Sequence, residues 1–443
     1  MTLPDKGQVD ADRASPLHHE PTNLGILALQ LIIMRIGWIF KTESVIIPHV
    51  LDVISGNAAW ARGFLPVLNR LGQSLPPLLA ADFVRDIRLK KRALIFTTLG
   101  MAFPFLLLAG VGIALMQLRG KSGSALSRFL LTRGLWLIFL EFTVIRLLIV
   151  FNLDYTFIGM AQVIWVIGVS MIVMAAMIYL PVRVVGALGV LMIVVHNLLD
   201  GLNVPMNIAF MGTPPPSTGE SLWIIFHQMG VVPFAGGQVF FAYALIPWVG
   251  VMMAGYALGM YYDLDSDVRR MVLLRLGSVA TILFFVLRAI NIYGDPQPWK
   301  VQETTGATVL SFFNVTKYPP SLLFLLMTLG PAMIVLSVTD RIDGRAIWQR
   351  ICITYGRVPM FYYILQWAFA HTAGVLLAYL GGVDTGYLFK NLMEMGQTAP
   401  PAHGSSLLTT YIVWITGLIV VYPLCLWWGN LKKRNKHWAL SYL

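Results

Sequence analysis

Charge is what this sequence has least of. Of its 443 residues only 12% are Asp, Glu, Lys or Arg, against about 25% in a soluble globular chain. So few ions cannot coat a water-facing surface of this size, and 57% of the residues are hydrophobic. Disorder and coiled coil are excluded by the same imbalance. Cysteine is nearly absent. Cys352 and Cys425 have no paired spacing, which excludes a zinc site, a redox pair and a disulfide scaffold. No glycine-rich phosphate loop, metal-ligand cluster or Gly-x-Ser-x-Gly elbow occurs. Acidic residues are outnumbered 21 to 32, a net +11. Where the excess lies matters more than its size, and it does not point to nucleic acid. No basic-then-apolar leader precedes the first long apolar run.

What the chain does have is long apolar runs. A bilayer core about 30 Å thick is crossed by about 20 mostly apolar residues. Eleven runs qualify: 24–40, 60–82, 93–116, 130–151, 158–180, 184–200, 239–260, 271–291, 319–338, 358–380 and 408–429. The expected fold class is all-α, a polytopic transmembrane bundle of about 10–11 helices with the lipid bilayer as its solvent. Residues 1–23 are polar and read as a disordered cytosolic tail. The connection 201–238, with its GTPPPSTG stretch, reads as an extramembrane loop. Arg35, Arg62 and Arg70 lie inside the first two runs and must face protein or water.

Lysine and arginine placement sets the orientation. The C-terminal tail carries Lys432, Lys433, Arg434 and Lys436 and is taken as cytoplasmic. Working back, the loops 339–357, 261–270, 181–183 and 117–129 fall inside and hold Arg341, Arg345, Arg350, Arg357, Arg269, Arg270, Arg183, Arg119, Lys121 and Arg128. Loops 381–407, 292–318, 201–238 and 152–157 fall outside with only Lys390, Lys300 and Lys317. One run breaks the frame. The segment 93–116 is flanked by RDIRLKKR (85–92) on one side and by Arg119, Lys121 and Arg128 on the other. A straight helix cannot put both flanks inside. Either it is re-entrant at Pro104, or one basic loop lies outside, or two sequences of different topology are joined near 111–120; the last is favoured.

Residues 118–443 resemble the heparan-α-glucosaminide N-acetyltransferase catalytic-domain-like family of bacterial membrane proteins. The stretches that carry the likeness are ALSRFLLTRGLWLIFLEFTVIR (125–146), FIGMAQVIWVIGVSMI (157–172), HNLLDG (196–201), ALIPWVGVMMAGYALG (244–259), NVTKYPPSLLFLLMTLGPA (314–332), GRVPMFYYILQ (356–366) and WALSYL (438–443). Residues 24–110, through ALQLIIMRIGWIFKTESVIIPHVLDVISG (28–56) and GFLPVLNRLGQSLPPLLA (63–80), look like the first helices of a major facilitator superfamily transporter. The expected division is therefore a tail at 1–23, transporter-like helices at 24–115 and an acetyltransferase-like membrane domain at 116–443. The first resemblance implies a bacterial cytoplasmic membrane protein that passes an acetyl group from cytosolic acetyl-CoA to a sugar or similar acceptor on the outer face. The alternative is a transporter, or an inactive fusion. The family's N-terminal segment, which in eukaryotic relatives supplies the acetyl-handling histidine, has no counterpart here, and the context of His49 does not match it.

Several residues could carry chemistry. His196 and Asp200 are four apart at the outer end of the 184–200 helix, so they lie on one face. A carboxylate-held imidazole is what general base catalysis needs; the alternative is a helix terminus with an interfacial histidine. Asn197 beside them is a ligand contact or satisfies a carbonyl. Glu141 sits mid-membrane, where an acid is functional or paired with an arginine. Arg288, Asn291, Asp295, Lys317 and Tyr318 gather in the outer loop near 288–320 as substrate-binding candidates or an ordinary interfacial loop. Tyr362, Tyr363, Gln366 and His371 form a polar stripe on the 358–380 helix, where the family tends to have a histidine in place of Gln366. His371 is a further candidate, or a satisfied structural group.

Overall fold

The computed structural model describes residues 105–121, 123–204, 214–339, 346–391, 394, 398 and 407–435. The readings that fall on residues 1–104 lie outside them: the tail, the first two runs with Arg35, Arg62 and Arg70, His49 between them, and the basic loop 85–92. Of the described residues, 73% are helix and 6% strand.

The helices follow the apolar runs. α1 spans Phe105–Leu118 and α2 Gly123–Leu140. A π-helical turn, Glu141–Ile145, leads into the short α3, Arg146–Val150. α4 is Val163–Met177 and α5 Val182–Val195, which tightens into a 3-10 turn at His196–Leu199. α6, Thr218–Phe226, starts at a capping box in which Ser217 and Glu220 satisfy each other's backbone N–H groups. Then come α7 (Leu245–Gly259), α8 (Ser266–Ile290), α9 (Thr305–Phe313), α10 (Leu322–Thr339), α11 (Ile347–Arg357), α12 (Pro359–Leu380) and α13 (Leu407–Arg434). Among the described residues five helical stretches are long and apolar enough to cross a membrane: 182–199, 245–263, 266–290, 359–380 and 409–434.

Two runs read as wholly helical begin as strands. Phe157–Ala161 is β1, and Gly237–Phe241 is β3, closing a hairpin with β2, Gly230–Phe234. The sheet order is β1-β3-β2, with β1 parallel and β2 antiparallel to β3. A short apolar stretch does not declare its period, so strand and helix look alike until a partner strand is present.

Lipid is as apolar as leucine, so helix pairs in a bilayer are held by close packing of small residues rather than by escape from water. Three reciprocal glycine contacts do this here. A Cβ on Gly134 of α2 would lie 2.5 Å from the carbonyl oxygen of Gly168 on α4. Gly189 of α5 meets Gly250 of α7 at 2.7 Å, and Gly277 of α8 meets Gly330 of α10 at 2.7 Å, on the same measure. α1 joins the bundle likewise: a Cβ on Gly110 would stand 2.1 Å from the carbonyl oxygen of Met252 on α7. The opposite faces carry large apolar side chains that stay uncovered, such as Leu191 (55% exposed), Ile282 (61%) and Ile419 (67%), as a lipid-facing surface requires.

The bundle has two distinct ends. At one, the sheet, the 3-10 turn and the connections 151–156, 291–321 and 386–391 meet. Asn152 Nδ2 donates to the Phe389 carbonyl at 2.8 Å, and His196 reaches Pro320. At the other end Ser127 Oγ donates to Ala175 O at 2.8 Å and Arg270 Nε to Ser337 O at 3.0 Å. The loops read as outside thus gather at one end of the bundle.

Candidate functional site

The polar centre of the loop-rich end forms where α5 stops. The chain tightens to a 3-10 turn over His196–Leu199. At three residues per turn, positions i and i+3 eclipse, whereas i and i+4 do not. Asn197 therefore meets Asp200, donating from Nδ2 to Oδ2 at 2.7 Å. His196 turns away. Its Nδ1 lies 2.9 Å from Ile193 O and its Nε2 2.8 Å from Pro320 O. The expected His196–Asp200 pair rested on α-helical pitch, and the local 3-10 geometry replaces it.

Asp200 holds a different imidazole. His227, which follows the last residue of α6, places Nε2 3.2 Å from Asp200 Oδ1 and is 3% exposed. Its Nδ1 is enclosed and has no hydrogen-bond partner among the described residues. With Nε2–H donated to the carboxylate, Nδ1 is left as a free lone pair. The ring stands 5.9 Å from His196 and 4.9 Å from Trp223, centroid to centroid. Gln228 fixes the neighbouring turn by accepting the Val204 N–H at 3.0 Å and donating back to the Val204 carbonyl at 2.5 Å. His227 was missed in the sequence because it sits 27 residues from its carboxylate. Its only signal was a lone histidine at the end of an apolar stretch, SLWIIFHQ.

Asn197 also links this centre to α10. Its Oδ1 accepts the N–H of Leu322, the first residue of that helix, at 2.8 Å. Ser321 Oγ accepts the Phe324 N–H at 3.0 Å and Gly294 O the Leu323 N–H at 2.9 Å. The orphan donors of the α10 start are thereby satisfied within the protein.

The outer-loop candidates divide. Arg288, 1% exposed, spends its guanidinium on backbone carbonyls: Phe312 at 2.7 Å, Gln297 at 3.0 Å, Ser311 at 3.0 Å and Asn314 at 2.8 Å. Asn291, in a left-handed conformation, both donates to and accepts from the Trp299 backbone at 3.0 Å. Asp295 accepts from Thr316 N at 2.6 Å, Ser321 Oγ at 2.7 Å and Gln297 N at 2.9 Å. These three shape the loop that carries Lys317 and Pro320. Lys317 is half-buried with its ammonium 5.1 Å from the Tyr318 ring, and burial lowers its pKa to about 8. Tyr318 packs edge-on against Tyr243 at 5.4 Å, and burial, then Tyr243, holds its hydroxyl well above the usual range.

Glu141 and His371 lie elsewhere at this end. Glu141, 2% exposed, accepts the Trp165 N–H at 2.8 Å through Oε2. That N–H is one of the four orphans at the start of α4, so the carboxylate caps a neighbouring helix. It also lines a small pocket with Arg146, Gly159 and Asn391. Arg146 Nη2 donates to Asn152 Oδ1 at 2.8 Å, and its guanidinium also reaches the carbonyls of Asn152 and Asp154 and stacks 4.3 Å from the Tyr155 ring. Asp154 is held below the usual carboxylate range, first by Asn391 and then by the Thr156 backbone. His371 packs against Phe151, with ring centroids 4.1 Å apart and tilted by 44°.

The long apolar helices and their uncovered apolar faces define an integral membrane protein. A family profile described as "Heparan-alpha-glucosaminide N-acetyltransferase, catalytic" matches residues 79–293, and the chain resembles that family over this stretch. The match takes in Glu141, His196, Asn197, Asp200, His227, Arg288 and Asn291. It begins within the part read as transporter-like. No curated protein and no solved structure matches the chain.

Proposed function

We propose that this protein is a transmembrane acetyltransferase of a bacterial cytoplasmic membrane, with its C-terminus cytoplasmic, that takes acetyl groups from cytosolic acetyl-CoA and delivers them to a hydroxyl or amine on the outer side. The observation that carries the reading is the Asp200–His227 pair, a buried imidazole on a half-buried carboxylate at the loop-rich end, inside the family-matched stretch. The donor is a substrate, and bound it supplies the thioester carbonyl. Its phosphates suit the opposite end, where Arg119, Arg128 and Arg183 are exposed.

In this reading His227 Nδ1 takes the acceptor's proton as the acceptor attacks that carbonyl. Asp200 holds the ring by Nε2 and stabilises the imidazolium that results. The proton on Nδ1 then goes to the departing sulfur, which returns the ring to its starting form. His196 is a positioning residue: both of its nitrogens face carbonyl oxygens, and it ties the end of α5 to the loop before α10. Asn197, Arg288, Asn291 and Asp295 shape the acceptor's surroundings through the same loop, which also carries Lys317 and Tyr318. The test is turnover of labelled acetyl-CoA by the purified full chain against a panel of amino sugars and sugar alcohols. Transfer that disappears in His227→Ala supports the reading. No transfer to any acceptor, with folded protein, overturns it.

A further inference from the structure

A second polar centre lies in the membrane between α12 and α13, apart from the imidazole pair. Gln366 is 3% exposed, yet neither its Nε2 nor its Oε1 has a hydrogen-bond partner among the described residues. Trp414 Nε1, on the facing helix, is enclosed and unpartnered in the same sense. Both side chains line one pocket, whose other walls include Tyr362, Phe369, Gly417 and Leu418. On α12, Tyr362 and Gln366 are one helical turn apart, and on α13 so are Trp414, Gly417 and Leu418, so each set shares a face. Gly417 brings the helices close, since a Cβ there would lie 2.7 Å from the Phe369 ring.

An amide left unpaired in hydrocarbon is costly, because no water is at hand to replace a missing partner. A ligand that ends this cost must both donate to Oε1 and accept from Nε2–H. The pocket's lining holds no acidic or basic side chain. A carboxylate or phosphate would bring a charge with no counter-ion and could only accept. An ammonium could only donate. An ester carbonyl would leave Oε1 unpaired. A hydroxyl meets both needs without charge, and an alkyl chain attached to it would lie along the apolar walls.

We propose that the crevice between α12 and α13 binds a long-chain alcohol, an uncharged amphiphile whose hydroxyl is held by Gln366, with Trp414 Nε1 as a second donor. The probe is a photoactivatable hexadecanol applied to the purified full chain in phospholipid nanodiscs. Labelling is expected within 359–380 and 407–434, competed by 1-hexadecanol and not by its methyl ether, which only accepts. Gln366→Leu is expected to reduce labelling at least tenfold without lowering the melting temperature, because it removes both unpaired atoms. Trp414→Phe is expected to reduce it several-fold. Equal competition by alcohol and ether, labelling confined to other helices, or full labelling of folded Gln366→Leu would each overturn the proposal. Should Gln366→Leu not fold, the competition on the unaltered protein decides alone.

Discussion

The Asp200 carboxylate is shared between Asn197, 2.7 Å away within its own turn, and His227, 3.2 Å away across a connection of 27 residues. One face of the carboxylate is thus fixed locally and the other is aimed at an imidazole whose second nitrogen has no hydrogen-bond partner among the described residues. His196, four residues before Asp200, has both nitrogens against carbonyls. If His227 is the proposed base and His196 a structural tie, the two histidines are predicted to behave differently.

His227→Ala is expected to lower acetyl transfer by about 10²–10⁴-fold, the usual contribution of a general base. Asp200→Asn is expected to lower it as well, by weakening the imidazolium. His196→Ala is expected to act first on the melting temperature, by loosening the contact with Pro320. Turnover with labelled donor and a melting curve on each variant separate these effects. Transfer preserved in His227→Ala but lost in folded His196→Ala would return the chemistry to His196.

Arg288→Met is expected to destabilise the loop 291–321 strongly. The change leaves four carbonyl acceptors of that loop without their donor. Losing a partner for a buried polar group costs about 1–3 kcal/mol per group, and the losses are not additive. A drop of at least ~3 kcal/mol is anticipated, read as a lower melting temperature and as faster amide exchange in α9. Unchanged exchange in α9 would argue against this role.

Two neighbouring glycines of α1 test its seat in the bundle. At Gly110 an added methyl meets the α7 backbone at 2.1 Å, whereas at Gly112 it meets nothing within 4 Å. Gly110→Ala is expected to cost about 1–3 kcal/mol through overpacking. Gly112→Ala is expected to be neutral or to gain up to about 1 kcal/mol from helix propensity. Equal melting temperatures for the two variants would show that α1 does not pack on α7 as described.

The Lys317 pKa, lowered by burial to about 8, makes two linked expectations. The unfolded chain binds this proton up to the ordinary lysine range near 10.4, whereas the folded chain releases it from about pH 8. Between those values the unfolded state binds more protons, so this group's contribution to stability rises with pH, and its cost is fully present below about 8. Its free amine should also react with acylating reagents at pH 8–9 faster than the exposed Lys300 and Lys390. Peptide-resolved labelling rates against pH check this, and a Lys317 midpoint above 10 would contradict it.

Much of the frame was legible in the sequence. The run 271–291 lies almost wholly within Ser266–Ile290, and 358–380 matches Pro359–Leu380. Length and hydropathy suffice there because each helix satisfies its own backbone in lipid. The starts of two other runs misled. FIGMA and GQVFF become strands only because they find each other, 80 residues apart in their first positions. The gathering of HNLLD, Arg288 and Lys317 at one end was visible from alternating topology, but their use was not. Arg288 and Asp295, read as possible substrate contacts, have their polar atoms engaged by the loop itself.

The sequence by itself determined that this chain lives in a bilayer, where most of its helices run and which family it resembles. Each of these depends on local composition or on contiguous residues. Only the tertiary structure decided which imidazole Asp200 holds and which amide in the membrane has no partner among the described residues. Those outcomes turn on half an ångström of rise per residue between a 3-10 turn and an α-helix, and on which distant helices close against one another.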